Sequence, residues 1–230
     1  MTNVVTNDMS IVIGGEAGQG VESSGAGFAL ALSRAALHVF ALQDYRSRIR
    51  GGHNFFQVRI SEEPRLSHSN PVHLLLALTP ETVQLHLDQL AEGAAVVFPE
   101  SFEIDPEPLR KRGVHVASLP LIRIAEEHGS RLLTNTAALA AAAGITGFPL
   151  EFMEGVLRDS FASKGQQTVD ANLNAARAAH NLAKERYGAD YRYKLAPVKG
   201  APRRMLMHGN QALAMGALAG GCRFMAAYPL

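Results

Sequence analysis

The sequence has one cysteine, few aromatic residues and almost no net charge, and each shortage excludes a class of protein. Cys222 alone cannot form an internal disulfide, and it cannot supply the several thiolates that a cysteine-bound metal or an iron–sulfur cluster needs. The 230 residues carry a formal net charge of +1, so no overall field attracts nucleic acid or anionic lipid. Aromatic residues make up only 7%, and no stacking platform for bases is visible.

Several targeting and catalytic motifs are also missing. No apolar run reaches membrane-spanning length and no signal peptide is visible, which favours a cytoplasmic protein without a membrane contact. The nine histidines never occur as H-x-x-x-H or H-x-x-E-H, so no metal site is expected. The chain has neither the G-x-S-x-G turn of serine hydrolases nor the G-x-x-x-x-G-K-[ST] loop of P-loop nucleotide hydrolases.

Glycine, in contrast, is concentrated near the start, where residues 14–20 are Gly-Gly-Glu-Ala-Gly-Gln-Gly. The apolar run 11–13 before them predicts a buried strand, and the Ala- and Leu-rich stretch 21–36 predicts a helix. Such a turn cradles an anion, because glycines allow close backbone approach and the helix start offers free N–H groups. We therefore expect an anionic coenzyme or nucleotide to contact Gly15, Glu16, Gly18, Gln19, Gly20 and Val21.

The same turn is only part of a dinucleotide-binding fingerprint. Gly18-Gln19-Gly20 supplies G-x-G, but Ser23 stands where a third Gly or Ala belongs. Asp44, after a strand predicted at 39–43, has the spacing of an acid that binds a nucleotide ribose. A stand-alone NAD- or nucleotide-binding module is therefore one alternative, and a tight turn that only packs is another.

A second polar loop, residues 44–54, carries three arginines at alternate positions. Alternate side chains of an extended segment share a face, so these guanidiniums suit phosphates or partner carboxylates. A glycine pair then permits a sharp bend, and a histidine offers a hydrogen bond or a proton shuttle. Both loops follow the carboxyl ends of strands, so we expect them to be neighbours, the alternative being a solvated basic loop. The candidate residues are Arg46, Arg48, Arg50, Gly51, Gly52 and His53.

The order of the predicted elements is that of a three-layer α/β/α domain. Apolar patterns predict further strands at 55–60, 73–78, 94–98 and 114–117, and helices at 80–91, 120–128, 134–144, 150–162 and 166–187. Thr79 and Pro80 are expected to cap and open the first of these helices. We expect a Rossmann-like α/β fold with a mostly parallel, mixed sheet of five or six strands, an antiparallel strand near Phe55 and a helical C-terminal part.

The end of the chain has a different composition. Residues 189–204 hold five basic residues, one acid and three prolines or glycines, which is typical of a linker. Beyond them, a strand at 205–207, a helix at 211–219 and a strand at 223–227 are predicted, a unit too small to bury its own core. We therefore expect a main domain at 1–188, a basic linker at 189–204 and the truncated start of a second domain at 205–230.

At residues 14–21, at 45–61 and around Asn135, the sequence resembles the gamma subunit of the 2-oxoacid:ferredoxin (acceptor) oxidoreductases. These enzymes act on pyruvate, 2-oxoglutarate or branched 2-oxo acids. The resemblance covers about residues 9–188, and residues 209–230 resemble the opening of the alpha subunit, part of a thiamine diphosphate (pyrimidine-type) domain. It implies a reaction in which a 2-oxo acid and coenzyme A give acyl-CoA, CO₂ and reduced ferredoxin.

The resemblance also implies partners, because thiamine diphosphate and iron–sulfur clusters belong to the complete complex and not to this chain. Those partners are a beta subunit carrying thiamine diphosphate, the remainder of alpha, and ferredoxin, in a dimer or hetero-oligomer. This chain alone is then inactive and helps hold CoA and cover the active site. Residues 22–27 lack the Lys of the Asn-Lys pair found in single-chain pyruvate enzymes, so phosphate contacts fall to backbone N–H groups or the three arginines. A purely structural assembly subunit is the other alternative.

Overall fold

The structure is a computed structural model that describes residues 3–45, 51–202 and 204–228. Within those residues the strands are β1 Val5–Thr6, β2 Met9–Glu16, β3 His38–Tyr45, β4 His53–Ser61, β5 Val72–Ala77, β6 Leu90–Pro99, β7 His115–Leu119 and β8 Tyr193–Lys194. The helices are α1 Val21–Arg34, α2 Pro80–His86, α3 Glu107–Lys111, α4 Leu121–Glu127, α5 Thr134–Thr146, α6 Leu150–Phe161, α7 Gln166–Tyr187 and α8 Gly209–Ala219.

Six strands form one sheet in the order β3-β4-β2-β5-β6-β7. Strands β2, β5, β6 and β7 pair in parallel, whereas β4 is antiparallel to both of its neighbours. The short strands β1 and β8 form a separate parallel pair. The mixed, mostly parallel sheet and its antiparallel strand near Phe55 confirm the expected fold class.

Helices cover both faces of the sheet, because alternate side chains of the buried strands point to opposite sides. Ile11 and Ile13 of β2 lie in the larger apolar cluster, which includes residues of α1, α4, α5, α6 and α7. Val12 lies in the smaller cluster on the other face, with Val83 of α2 and Leu109 of α3. The three-layer arrangement is therefore present, with β2 at its centre and its carboxyl end leading into the glycine-rich loop.

The helix predicted at 80–91 is shorter than expected. It ends at His86, a 3₁₀ turn covers Leu87–Gln89, and β6 begins at Leu90. Leu90 pairs with Val72 of β5, so strand pairing overrides the helical pattern at this point. Thr79 makes no side-chain bond to the helix backbone, and its hydroxyl lies 3.0 Å from that of Thr82 instead.

The first half of the segment predicted as a basic linker packs into the main core. Tyr191, Tyr193 and Leu195 are buried, and the Tyr191 hydroxyl donates a hydrogen bond of 2.6 Å to the carbonyl of His73. The Leu195 amide donates to the carbonyl of Thr146 at the end of α5. Apolar side chains at alternate positions, between charged ones, explain why a segment with a linker composition is buried here.

Residues 205–228 contain one helix, α8, and the two strands predicted around it are not formed in this described part of the chain. His208 and Gln211 cap α8 reciprocally, each side chain bonding the other's backbone amide. No residue of α8 is buried. A parallel strand needs a neighbouring strand to satisfy its backbone, and the described residues provide none at this position. Across the described residues, no helix combines the length and apolar character needed to cross a membrane.

Candidate functional site

The glycine-rich loop joins the carboxyl end of β2 to α1 in a conformation that requires glycine. Gly18 has a φ of +89° and Gly20 a φ of +74°, in the left-handed region that other residues rarely adopt. Gly20 occupies the N-cap position of α1, where it supplies no side-chain cap. The first amide groups of α1 therefore have neither an intrahelical acceptor nor a cap, and an anion at this point satisfies them.

Two other glycines allow close packing beneath the loop. A Cβ at Gly15 would lie 2.8 Å from Gln19 Oε1, and a Cβ at Gly14 would lie 2.5 Å from Thr82 Cγ2. The Gln19 side chain folds back onto the loop, where its Oε1 accepts a hydrogen bond of 3.0 Å from the Glu16 amide. Gly15 and Gln19, both predicted to contact a ligand, thus shape the loop.

A cleft of about 800 Å³ lies between the loop and the neighbouring strand ends. It is lined by Glu16, Gly18, Gly20, Val21, Glu22, Ser23, Ala26, Gln43, Asp44, Tyr45, Asn54 and Phe55. Four of the predicted site residues, Glu16, Gly18, Gly20 and Val21, are among them. A concave site of this volume accommodates a coenzyme-sized molecule.

The predicted arginine residues, Arg46, Arg48 and Arg50, lie outside the described residues. The described ends of their loop do lie beside the glycine-rich loop, as expected. The Gly52 carbonyl accepts a hydrogen bond of 3.2 Å from the Ala17 amide, and His53 pairs with Glu16 across β4 and β2. Tyr45, at the other end, lines the cleft.

His53 is buried and does not line the cleft, contrary to the expectation that it serves the site directly. Its Nε2 lies 2.9 Å from Nε2 of His86, and the Nδ1 of His86 lies 2.9 Å from Gln89 Oε1. Because Gln89 Oε1 only accepts, His86 carries its proton on Nδ1 and accepts from His53. Burial lowers the pKa of His86, which favours this neutral arrangement. His53 therefore fastens β4 to α2 beneath the loop.

Asn135, at the start of α5, contacts the glycine-rich loop, although the sequence did not predict it as a binding residue. Its Nδ2 donates hydrogen bonds to the Gln19 carbonyl and to Ser24 Oγ. The signal in the sequence is a polar residue opening an otherwise Ala-rich helix. Its partner was not predictable, because α5 and the loop are separated by more than a hundred residues.

Asp44 lies in the cleft wall, but its strand does not have the placement of a dinucleotide-binding fold. In that fold the strand before the ribose-binding acid pairs directly, in parallel, with the strand before the glycine-rich turn. Here the antiparallel β4 lies between β3 and β2. This difference in topology weighs against the NAD alternative.

The described lining carries carboxylates and no lysine or arginine. Glu16, Glu22 and Asp44 are exposed along the cleft. Backbone N–H groups at the start of α1 are therefore the main positive feature that the described lining offers an anion.

Comparison with known proteins identifies the family. The pyruvate ferredoxin/flavodoxin oxidoreductase family matches the chain over residues 10–182. The chain belongs to this family. The matched residues include the glycine-rich loop, all six strands of the large sheet and most of α7, so the whole described cleft lies in the family domain.

Curated relatives named as oxidoreductase subunits are similar over most of the chain. The 2-oxoacid:ferredoxin oxidoreductase 2 subunit alpha of Aeropyrum pernix is 27% identical, and the match covers 97% of this chain and 41% of that protein. The ketoisovalerate oxidoreductase subunit VorA of Methanothermobacter marburgensis is 27% identical over 80% of this chain and 38% of its own length. The chain thus spans about two fifths of the length of these relatives.

Solved structures of the family share the fold. The 2-oxoglutarate:ferredoxin oxidoreductase from Magnetococcus marinus, with 2-oxoglutarate, coenzyme A and succinyl-CoA bound, gives a TM-score of 0.84 at 30% identity, over 94% of this chain and 37% of that chain. The pyruvate oxidoreductase subunit PORC of Thermotoga maritima gives a TM-score of 0.62 at 26% identity, over 76% of this chain and 96% of its own.

Proposed function

We propose that this chain is the gamma component, joined to the first part of the alpha component, of a 2-oxoacid:ferredoxin oxidoreductase. The reaction converts a 2-oxo acid and CoA to acyl-CoA and CO₂, with the electrons passed to ferredoxin. The observation that carries the proposal is an uncapped helix start at a coenzyme-sized cleft, in a fold similar to that of an oxidoreductase with coenzyme A bound.

Within this enzyme, the role of the chain is to hold CoA and cover the active site. Gly18 and Gly20 give the loop its shape, and the amides from Val21 onward face the CoA phosphates. Arg46, Arg48 and Arg50, on the loop whose ends flank the cleft, neutralise the same phosphates. The carboxylates of Glu16, Glu22 and Asp44 accept hydrogen bonds from neutral donor groups of the coenzyme.

The redox cofactors of such an enzyme do not fit this chain. A single cysteine cannot hold an iron–sulfur cluster, and the sequence lacks the Gly-Asp-Gly…Asn pattern that binds thiamine diphosphate. We therefore propose that both groups are bound outside residues 1–230. The proposed partners are a beta subunit with thiamine diphosphate, the remainder of alpha, and ferredoxin, in a hetero-oligomer.

The same comparisons support the proposed division of the chain. A gamma domain at 1–188, extended by the packed residues up to about 198, and the start of alpha at 205–230 account for two different extents of similarity. The Thermotoga maritima subunit is almost fully matched by 76% of this chain, whereas the longer Magnetococcus marinus chain matches 94% of it.

Calorimetric titration of the complete oxidoreductase with CoA, and separately with NAD, tests the proposal. We expect CoA to bind and NAD not to bind. Arg48→Ala should weaken CoA binding about tenfold, the size expected for one lost charge-assisted phosphate contact. Arg65→Ala, in the exposed loop at the opposite edge of the sheet, is the charge-matched control and should leave binding unchanged.

Three results would contradict the proposal in different ways. Equal weakening by the two arginine variants would show a general charge effect. Binding of NAD alone would favour the nucleotide-binding module. Absence of binding of both CoA and NAD would favour a structural assembly subunit.

A further inference from the structure

Asn135, on the first turn of α5, connects the glycine-rich loop to a different layer of the fold. Its Nδ2 donates one hydrogen bond to the Gln19 carbonyl and one, of 3.2 Å, to Ser24 Oγ. Gln19 lies within the loop, and Ser24 lies in the first turn of α1. The two protons of one amide therefore join the loop to the helix start.

The loop needs such a restraint because of its own sequence. Gly18 and Gly20 flank Gln19, and glycine has more conformations available than any other residue. The Gln19 side chain already holds the Glu16 amide from within the loop. Asn135 holds the Gln19 carbonyl from outside, so the peptide between the two glycines is fixed from both sides. The fit is close, since a Cβ at Gly20 would lie 3.3 Å from Asn135 Nδ2.

The helix that carries Asn135 is itself firmly held. Residues 136–146 of α5 are all buried, and the Thr136 hydroxyl donates a hydrogen bond of 2.8 Å to Asn172 Oδ1 of α7. A Cβ at Gly144 would lie 2.3 Å from the His180 carbonyl oxygen, so α5 and α7 are in backbone contact. The donor therefore has a fixed position relative to the sheet and the cleft.

We propose that Asn135 is a positioning residue that holds the glycine-rich loop in its CoA-binding conformation. The inference rests on the proposed function, because it takes the loop to be a coenzyme site. The amide is essential: an aspartate of the same shape accepts hydrogen bonds but cannot donate them. Asn135→Asp therefore removes the bond to the Gln19 carbonyl without creating a cavity, although the Ser24 hydroxyl can still donate to the new carboxylate. It also adds a negative charge beside the phosphate position.

The test uses the complete oxidoreductase with Asn135→Asp, Asn135→Ala and the control Thr134→Ala. Thr134 lies next to Asn135, and its hydroxyl donates a hydrogen bond of 2.6 Å to the Arg131 carbonyl rather than to the glycine-rich loop. Hydrogen exchange of the enzyme without CoA reports on the bonded amides of Ala17, Gln19 and Ser24. We expect both Asn135 variants to speed their exchange about tenfold, the size of one to two lost hydrogen bonds, and Thr134→Ala to leave it unchanged.

Steady-state kinetics then link the loop to the coenzyme. We expect the KM for CoA to rise about tenfold in Asn135→Asp and less in Asn135→Ala, with kcat within about twofold of the parent enzyme. Unchanged exchange in Asn135→Asp overturns the positioning role, whatever the KM. Faster exchange with an unchanged KM would show that Asn135 restrains the loop but that the loop is not the coenzyme site, which would contradict the proposed function. A fall in kcat alone overturns a role in CoA binding.

Discussion

At the scale of single residues, the polar groups beneath the loop are paired in a way that fixes their protonation. The hydrogen bonds from His53 to His86 and from His86 to Gln89 favour a neutral His86, because a second N–H on His86 would face the N–H of His53. The pKa of His73 is also lowered, first by burial and then by the charge of Arg59. Burial therefore favours the neutral form of both His73 and His86.

This arrangement predicts a loss of stability in mild acid. The pKa of His86 is lower in the folded chain than its ordinary value of 6.5, so the unfolded chain binds more protons below that pH. The stability contributed by the neutral form of His86 is fully present above about pH 6.5 and is lost as the pH falls below that value. His86→Gln should reduce this dependence in thermal unfolding between pH 7.5 and pH 5, at the cost of some stability at neutral pH, while His68→Gln, exposed on the β4–β5 loop, should not. Identical profiles for His86→Gln and the parent protein would contradict the assignment.

At the scale of elements, the pair α5 and α7 forms the rigid support of the site. Alanines line the contact, and Gly144 allows the two backbones to touch. The support matters to function because Asn135 begins the same helix. A substitution that separates the two helices would therefore displace Asn135, whose side chain bonds the glycine-rich loop.

Gly144→Ala should accordingly destabilise the fold. The added methyl would lie 2.3 Å from a backbone oxygen, which cannot rotate away as a side chain can. We expect a loss of about 2 kcal/mol or more in the free energy of unfolding, despite the better helix propensity of alanine. Gly27→Ala in α1 is the matched control, since its nearest neighbour would be at an ordinary 3.7 Å, and it should be neutral or stabilising. Equal unfolding free energies for the two variants, measured in urea, would rule out the close contact.

At the scale of the whole molecule, the packed unit ends near residue 198 rather than at the end of α7. Tyr191, Tyr193 and Leu195 lie in the main core, and the Val198 amide bonds the Ala35 carbonyl. Of the residues beyond Val198, Leu206 still packs against the core, whereas Leu213 is 75% exposed and Phe224 is 86% exposed. In the proposed assembly, these apolar side chains face the rest of the alpha component.

Two truncations test where the packed unit ends. A chain of residues 1–200 should unfold at nearly the same temperature as the full chain, because residues 205–228 add little buried surface. A chain of residues 1–188 loses three large buried side chains, each worth about 1.5–3 kcal/mol. Since whole domains are stable by only about 5–15 kcal/mol, we expect it to be largely unfolded by circular dichroism. A folded 1–188 chain with an unchanged melting temperature would show that residues 189–200 do not belong to the core.

Much of the fold was predictable from sequence because its signals are local. The apolar runs identified every strand of the large sheet, and the helices of the C-terminal part began within a residue of their predicted positions. His53 was misplaced because its strand was predicted to begin at Phe55. Extending β4 by two residues puts His53 on the face of Phe55, whose ring it stacks against. The Tyr-Arg-Tyr-Lys-Leu run at 191–195 also alternates between apolar and charged residues, but its charges led to the prediction of a linker.

The non-local features were not predictable in this way. The partner of Asn135 and the position of β4 between β2 and β3 depend on contacts between distant parts of the chain. Nothing in the spacing of the glycines and of Asp44 tells whether their strands are direct neighbours. The roles of Arg46, Arg48 and Arg50 stay predictions, since these residues lie outside the described part of the chain.

The position of β4 also sets the width of the cleft. Neighbouring strands lie about 5 Å apart, so a strand inserted between β2 and β3 separates their carboxyl ends by about 10 Å. Glu16 at the end of β2 and Tyr45 at the end of β3 therefore line opposite sides of the cleft, with Asn54 and Phe55 of β4 between them. In the proposed function, CoA lies between these two sides. Without the inserted strand, β2 and β3 would be direct neighbours, and their carboxyl ends would lie only about 5 Å apart.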